Sequence, residues 1–194
     1  RSIIVASTDK AYGEYPIKKL PYKEEYELKA KFPYDTSKAC ADMIAKSYST
    51  KLFKLPIVIT RFANIYGPGQ LNFTALIPDA ISSCLLNKKF IMRGDGQSIR
   101  DFVYIDDIIE LYKLLSKNLY SNPKKFSGQV FNAGTNIQHK IKDILEKIFL
   151  YAKKKKELDK IFRRMHKNET KGEISVQFMD YEKLHHYLGW KPKY

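Results

Sequence analysis

The chain has 194 residues, 35 Lys and Arg against 21 Asp and Glu, and a formal net charge of +14. A hydrophobic fraction of 44% with 13% aromatics excludes an intrinsically disordered chain, and no apolar run approaches the roughly 20 residues of a membrane helix, so no membrane is expected. The two cysteines, Cys40 and Cys84, cannot build a secreted disulfide framework; both sit in helical patterns and read as buried free thiols of a cytoplasmic, reducing compartment.

In chain order, residues 2–7 read as a buried strand. The chain starts at Arg1 rather than Met and runs straight into this strand, which reads as a piece of a longer protein. Residues 10–33 are a long polar loop. Residues 34–53 read as a helix, with Ala39, Met43, Ile44, Tyr48 and Leu52 at helical spacing. A second strand over 56–62 leads to the turn Gly67-Pro68-Gly69, and a helix follows over 74–87. Residues 89–93 read as a short strand closed by Gly94-Asp95-Gly96. A strand at 102–104 precedes a helix over 106–118, and a strand at 129–132 precedes an amphipathic helix marked by Ile141, Ile144, Leu145, Ile148 and Phe149. Residues 174–178 alternate like a strand, and 180–188 form a last short helix. Strands alternating with helices predict an α/β protein with a largely parallel sheet.

Only six of the 35 cations are Arg. Readers of nucleic acid lean on Arg for bidentate contacts. The densest basic stretch, 153–171, carries nine Lys or Arg against three acids, with Phe162 the one aromatic of the FWY type among them. It reads as a solvated surface, with no nucleic acid among the expected partners. The four histidines lie apart from cysteines and carboxylates at ligand spacing, so no metal is expected.

Two local patterns carry chemistry. In Tyr34-Asp35-Thr36-Ser37-Lys38, positions i and i+4 share a helix face. An ammonium there is expected to lower the phenol's pKa from about 10 towards neutrality, making a base for a hydroxyl proton. Five Tyr-x-x-x-Lys matches occur, at Tyr15, Tyr34, Tyr120, Tyr151 and Tyr187. Only Tyr34 opens a long amphipathic helix, follows a proline and lies downstream of a strand ending in hydroxyls. That strand end, Ser7-Thr8-Asp9-Lys10-Ala11-Tyr12-Gly13, is the second pattern. Ligands of open α/β sheets bind beyond the carboxyl ends of strands, and Thr8, Asp9 and Lys10 offer a donor, an acid and a base there.

These blocks, with Arg61-Phe62-Ala63-Asn64-Ile65-Tyr66-Gly67-Pro68-Gly69, resemble the extended short-chain dehydrogenase/reductase family. Its NAD-dependent nucleotide-sugar epimerases and dehydratases carry them in this order. The resemblance continues through the stretch from Gly94 to Asp107, through Phe131-Asn132-Ala133-Gly134, and through Leu188-Gly189-Trp190-Lys191-Pro192. It implies the C-terminal part of a Rossmann-like parallel sheet plus a smaller mixed α/β substrate domain. Residues 1–66 would complete the NAD-binding domain, and 67–194 would bind the nucleotide-diphosphate sugar, with 101–136 partly returning to the sheet. A homodimer is implied for the full-length protein.

By the same resemblance, Thr8 holds the sugar 4-hydroxyl and Tyr34 removes its proton. Lys38 tunes Tyr34 and contacts the nicotinamide ribose, so Tyr34 and Lys38 also bind the cofactor, NAD. Lys10 takes the C5 proton and Asp9 protonates the departing 6-hydroxyl, a 4,6-dehydration. Asn64 and Arg100 hold the diphosphate, with a salt bridge from Arg100 to Asp101 or Asp106 as its structural alternative. Glu173 and Gln177 contact base or ribose. Lys10, where related dehydratases carry Glu, and the Gly172-to-Phe178 segment resemble the branch acting on CDP-glucose. The family's glycine-rich dinucleotide loop has no match here: Gly94 and Gly96 follow an apparent strand, but the next glycine is Gly128. The chain alone is therefore expected to be inactive. An epimerase of the same fold and a non-catalytic basic binding module are the rival readings; Asp9, an acid beside the Thr, speaks against the epimerase.

Overall fold

The computed structural model describes residues 2–164 and 173–194. Its strands and helices are, in order, β1 (Ile3–Thr8), α1 (Pro33–Tyr48), β2 (Ile57–Phe62), β3 (Asn64–Tyr66), α2 (Leu76–Leu85), β4 (Ile99–Arg100), β5 (Phe102–Tyr104), α3 (Ile105–Ser121), α4 (Pro123–Phe126), β6 (Val130–Ala133), β7 (His139–Lys140), α5 (Ile141–Tyr151), α6 (Lys155–Arg163), β8 (Val176–Gln177) and α7 (Glu182–Leu188).

The main sheet is parallel in the order β1-β2-β6, with Ile3 opposite Ile57 and Ile59 opposite Val130. Every residue of β2 is buried, as a strand covered on both faces must be. Alternation sorts its side chains. Ile57 and Ile59 cluster with Ala45 of α1, whereas Val58 and Phe62 join Leu111, Leu115 and Leu119 of α3. Those three leucines are fully buried, each contributing about 1.5–3 kcal/mol. Asp106 and Asp107 sit in the first turn of α3, where the helix dipole favours them. Trp190 plugs the same core at 3% exposure and donates from Nε1 to the Asp107 carbonyl at 3.1 Å.

A second cluster packs Ala80 and Cys84 of α2 against Leu145 and Phe149 of α5 and Leu158 of α6. Beside it lies a small mixed sheet, β7-β4-β8, in which β4 is antiparallel to β7 and parallel to β8. The parallel pair β3-β5 bridges the two regions.

Three expectations are corrected. Residues 89–93 form no strand: Phe90 is buried, but Ile91 is 69% exposed and no strand among the described residues pairs with them. Cys84 is buried, but Cys40 is exposed, because α1 turns that side away from the sheet. The front of the basic stretch is the helix α6, its apolar side on the second cluster; residues 165–172 of that stretch lie outside the described residues.

Candidate active site

Strand β1 ends at Thr8, which caps a single 3-10 turn, Asp9–Tyr12. The Thr8 hydroxyl donates to Asp9 Oδ1 at 3.0 Å and accepts from the Lys10 amide at 3.4 Å. Gly13 closes the turn at φ 68°, where a Cβ would meet the Lys29 carbonyl oxygen at 2.2 Å, so the position requires glycine. Asp9 is 4% exposed and its Oδ2 has no partner among the described residues. Burial pushes its carboxyl above the usual range, opposed by the Thr8 hydrogen bond and the charges of Lys10 and Arg100. A carboxyl so placed holds its proton more readily than a solvated one.

Helix α1 starts with Pro33 in its first turn, after the extended residue Phe32. Tyr34 is 56% exposed, and the Lys38 ammonium stands 5.9 Å from its ring centroid. The expected lowering of the Tyr34 pKa is corrected. Partial burial raises it, and the carboxylates of Asp9 and Asp35 raise it further, with no offset from Lys38. One turn beyond Lys38, Asp42 takes a two-pronged contact from Arg61, 2.8 Å from Nε and 3.0 Å from Nη2. Arg61 also donates to Tyr12 Oη at 2.8 Å, and Tyr12 Oη donates to Asn132 Oδ1 at 2.7 Å. Arg61 thereby ties α1 to the turn that carries Asp9 and Lys10. Sequence reasoning missed this network. Its signal was spacing: Asp42 lies at i+4 from Lys38 and i+8 from Tyr34, on one helix face.

A cleft of about 950 Å³ runs from Lys10 and Asn64 past Arg100 and Glu173 to Arg93 and Leu76, a size suited to a small-molecule ligand. Asn64 is held by a bond from Nδ2 to the Asp101 carbonyl at 2.9 Å. Arg100 is 5% exposed; its Nη2 meets Glu173 Oε1 at 2.8 Å, and its Nη1 reaches the carbonyls of Ile99 and Ser175 at 2.8 and 3.3 Å. Its acid partner is thus Glu173 rather than Asp101 or Asp106. The fold brings Lys10, Asn64, Arg100 and Glu173 to one cleft, and the charge of Asp9 reaches both Tyr34 and Arg100. Gln177 stands apart. It pairs beside Arg100 in β8 at 1% exposure, behind the cleft lining, and its Nε2 has no partner among the described residues.

The described residues fit one end of a dinucleotide. Tyr34 and Lys38, beside the carboxyl end of β1, can meet a nicotinamide ribose. The pyrophosphate end has no glycine-rich cradle among the described residues, because no Gly-x-Gly-x-x-Gly run there joins a strand to a helix N-terminus. Gly134 follows β6, but the room beside its Cα is taken by Asp101 and Met179.

The model of the family described as GDP-mannose 4,6 dehydratase matches residues 1–194. The dTDP-D-glucose 4,6-dehydratase of Bos taurus is 30% identical over 191 residues, covering 98% of this chain and 51% of that protein. The dTDP-glucose 4,6-dehydratase of Bacillus anthracis, solved in complex with NAD, superposes with a TM-score of 0.82 at 32% identity, covering 100% of this chain and 57% of that one. The UDP-glucose 4-epimerase of Thermotoga maritima, solved with UDP-glucose, superposes with a TM-score of 0.81 at 27% identity, covering 98% and 58%. The chain therefore spans about half the length of the relatives it matches. The dehydratases among these bear dTDP-glucose names, so they lend no support to the CDP-glucose assignment drawn from Lys10 and Gln177.

Proposed function

The chain belongs to the GDP-mannose 4,6 dehydratase family, within the extended short-chain dehydrogenase/reductases that act on nucleotide sugars, and on that premise we propose that it carries the catalytic strand and substrate cleft of an NAD-dependent 4,6-dehydratase of a nucleoside-diphosphate glucose. One observation carries the choice of dehydration: Thr8 caps the turn that carries Asp9 and Lys10, and Asp9 is buried there with an oxygen that has no partner among the described residues and a carboxyl pushed above its usual range.

In this reading Thr8 holds the 4-hydroxyl and Tyr34 takes its proton. NAD, when bound, accepts a hydride from the sugar and gives it back. Oxidation at C4 makes the C5 proton acidic, and Lys10, which lines the cleft, removes it. Asp9 gives its proton to the departing 6-hydroxyl, which leaves as water. Asn64 and Arg100 hold the diphosphate, a role that suits a guanidinium, and Gln177 backs the wall that carries Arg100. Residues 1–66 belong to the NAD-binding domain and 67–194 mainly to the substrate domain, with 101–136 returning to the first, as β6 does by pairing with β2. A second copy of the protein is the partner for the exposed apolar side of α1, formed by Met43, Ile44 and Tyr48.

The nucleotide is assigned as dTDP on the strength of the dehydratase relatives, with CDP as the alternative carried by Lys10; turnover of both by the intact protein decides between them. The chemistry is tested in D₂O. A dehydratase incorporates one solvent deuterium at C5, and Asp9→Asn and Lys10→Met each abolish product while leaving slow reduction of NAD. Turnover with no deuterium at C5 contradicts the proposed role of Lys10 and favours an epimerase.

A further inference from the structure

We propose that the pocket between the end of α2, the α5–α6 corner and the run 89–92 is a second ligand site, separate from the cleft described above, and that its ligand is a small amphipathic anion, an alkyl or aryl carboxylate.

The pocket encloses about 470 Å³, within the range of small-molecule sites. Its inner walls are apolar. Phe90 and Phe149 are both buried and meet edge to face, with ring centroids 6.0 Å apart. Cys84 of α2 belongs to the same cluster, and Met92 and Ile161 pack against it. Water against such walls makes few hydrogen bonds, so an apolar body gains by displacing it.

The charges around the pocket are almost all of one sign. Lys88, Lys89, Lys154, Lys160 and Arg164 line it against a single acid among the described residues, Glu157. Lys154 is held in place: its Nζ donates to Asn87 Oδ1 at 2.6 Å, which joins the α5–α6 corner to the end of α2. Its charge reaches the buried Cys84 thiol, as does that of Glu157, so an ammonium lies close to the apolar wall. An ammonium has three donors, and Asn87 takes one. Cations around an apolar pocket concentrate anions there. An inorganic anion would meet the cations and leave the walls wet, whereas a neutral hydrocarbon would fill the walls and leave the cations unanswered. A carboxylate on an apolar body does both.

Lys89, Phe90, Ile91 and Met92 line both this pocket and the cleft, and the two spaces share no other described residue. The run 89–92 is therefore a partition, and a nucleotide in the cleft leaves the second pocket open.

Calorimetric titration of the intact protein with octanoate, with octanol and with inorganic phosphate, each in the presence and absence of saturating dTDP, tests the proposal. Octanoate should bind once per chain and stay bound with dTDP present. Octanol should bind at least tenfold more weakly, and phosphate should not compete. Lys88 and Lys160 are exposed, so Lys88→Glu with Lys160→Glu should leave the fold intact and weaken octanoate about tenfold, the scale of screened charge contacts. Lys18→Glu with Lys124→Glu, also exposed, changes the net charge equally and should leave octanoate affinity as it is. The lysine variants carry the test whether or not dTDP binds. Absence of octanoate binding overturns the proposal, as does its displacement by dTDP, which places the carboxylate in the cleft. Octanol binding as tight as octanoate makes the pocket a plain apolar cavity and overturns the anion claim. Equal weakening in the two double variants reduces the effect to the overall charge and overturns the site.

Discussion

Arg61 and Arg100 are both buried, and each holds an acid at 2.8 Å, but the two pairs behave as opposites. The partner of Arg61, Asp42, is 1% exposed, and the pair is bidentate, with Tyr12 on the remaining nitrogen. The partner of Arg100 reaches solvent, and the contact is single. The first pair locks a helix to a sheet and leaves Tyr34 and Lys38 projecting from the locked frame. The second joins Arg100, on the two-residue strand β4, to Glu173, which precedes β8, at the edge of a cleft. A buried ion pair fixes geometry most firmly where both partners are sealed, and less firmly where one of them borders solvent.

The largest expected effect separates chemistry from frame on a single helix. Tyr34→Phe should lower kcat of the intact protein by roughly 10²–10⁴ with little change in melting temperature. Tyr15→Phe, which has the same Lys spacing in a loop, should leave kcat near wild type. Asp42→Ala, eight residues along the same helix face, should instead cost about 3–5 kcal/mol of stability by stranding Arg61. Glu173→Ala should cost less in the same denaturant titration, because Glu173 is partly exposed and Arg100 keeps its bonds to the Ile99 and Ser175 carbonyls. Equal losses at the two positions would erase the distinction between the sealed and the partly exposed pair.

A smaller effect reports on the seam between the regions. Asp101 accepts hydrogen bonds from the Thr135 amide and hydroxyl, the Asn136 amide and the Met179 amide. Burial pushes its carboxyl up to about 6, and burial with the nearby Glu24 does the same to Asp180. A carboxyl raised in the folded state favours folding below its unfolded pKa, near 4, and loses that contribution as pH rises through the folded value. Unfolding free energy should therefore fall between about pH 4 and pH 6 through these two groups, and Asp180→Asn should flatten part of that slope. A slope unchanged by the substitution would remove Asp180 from the seam.

The sealed region was the more legible in sequence. The helix expected over 106–118 is α3, whose Ile108, Leu111 and Leu115 lie in the core, although it runs on to Ser121. Tyr34 stood out among five Tyr-x-x-x-Lys matches because proline, helix and strand end all lay nearby. The cleft wall was less legible for physical reasons. In extended backbone neighbouring side chains point to opposite faces. Asp101 therefore turns to Thr135 and not to its neighbour Arg100, whose partner lies 73 residues away. The 89–93 run looked like a strand by composition, but a strand needs a partner edge, and that is not written locally. The direction of the Tyr34 shift was also illegible, because it comes first from partial burial and then from Asp9, which approaches from the turn after β1, and from Asp35.

The most direct test of the account is the mass of the product. The intact protein, supplied with NAD and either dTDP-glucose or CDP-glucose, should release a nucleotide sugar lighter by one water, with the 4-keto-6-deoxy absorbance in alkali, and Asp9→Asn should release none. A product of unchanged mass and altered stereochemistry would contradict the assignment of Asp9 and Lys10 to elimination and make the protein an epimerase.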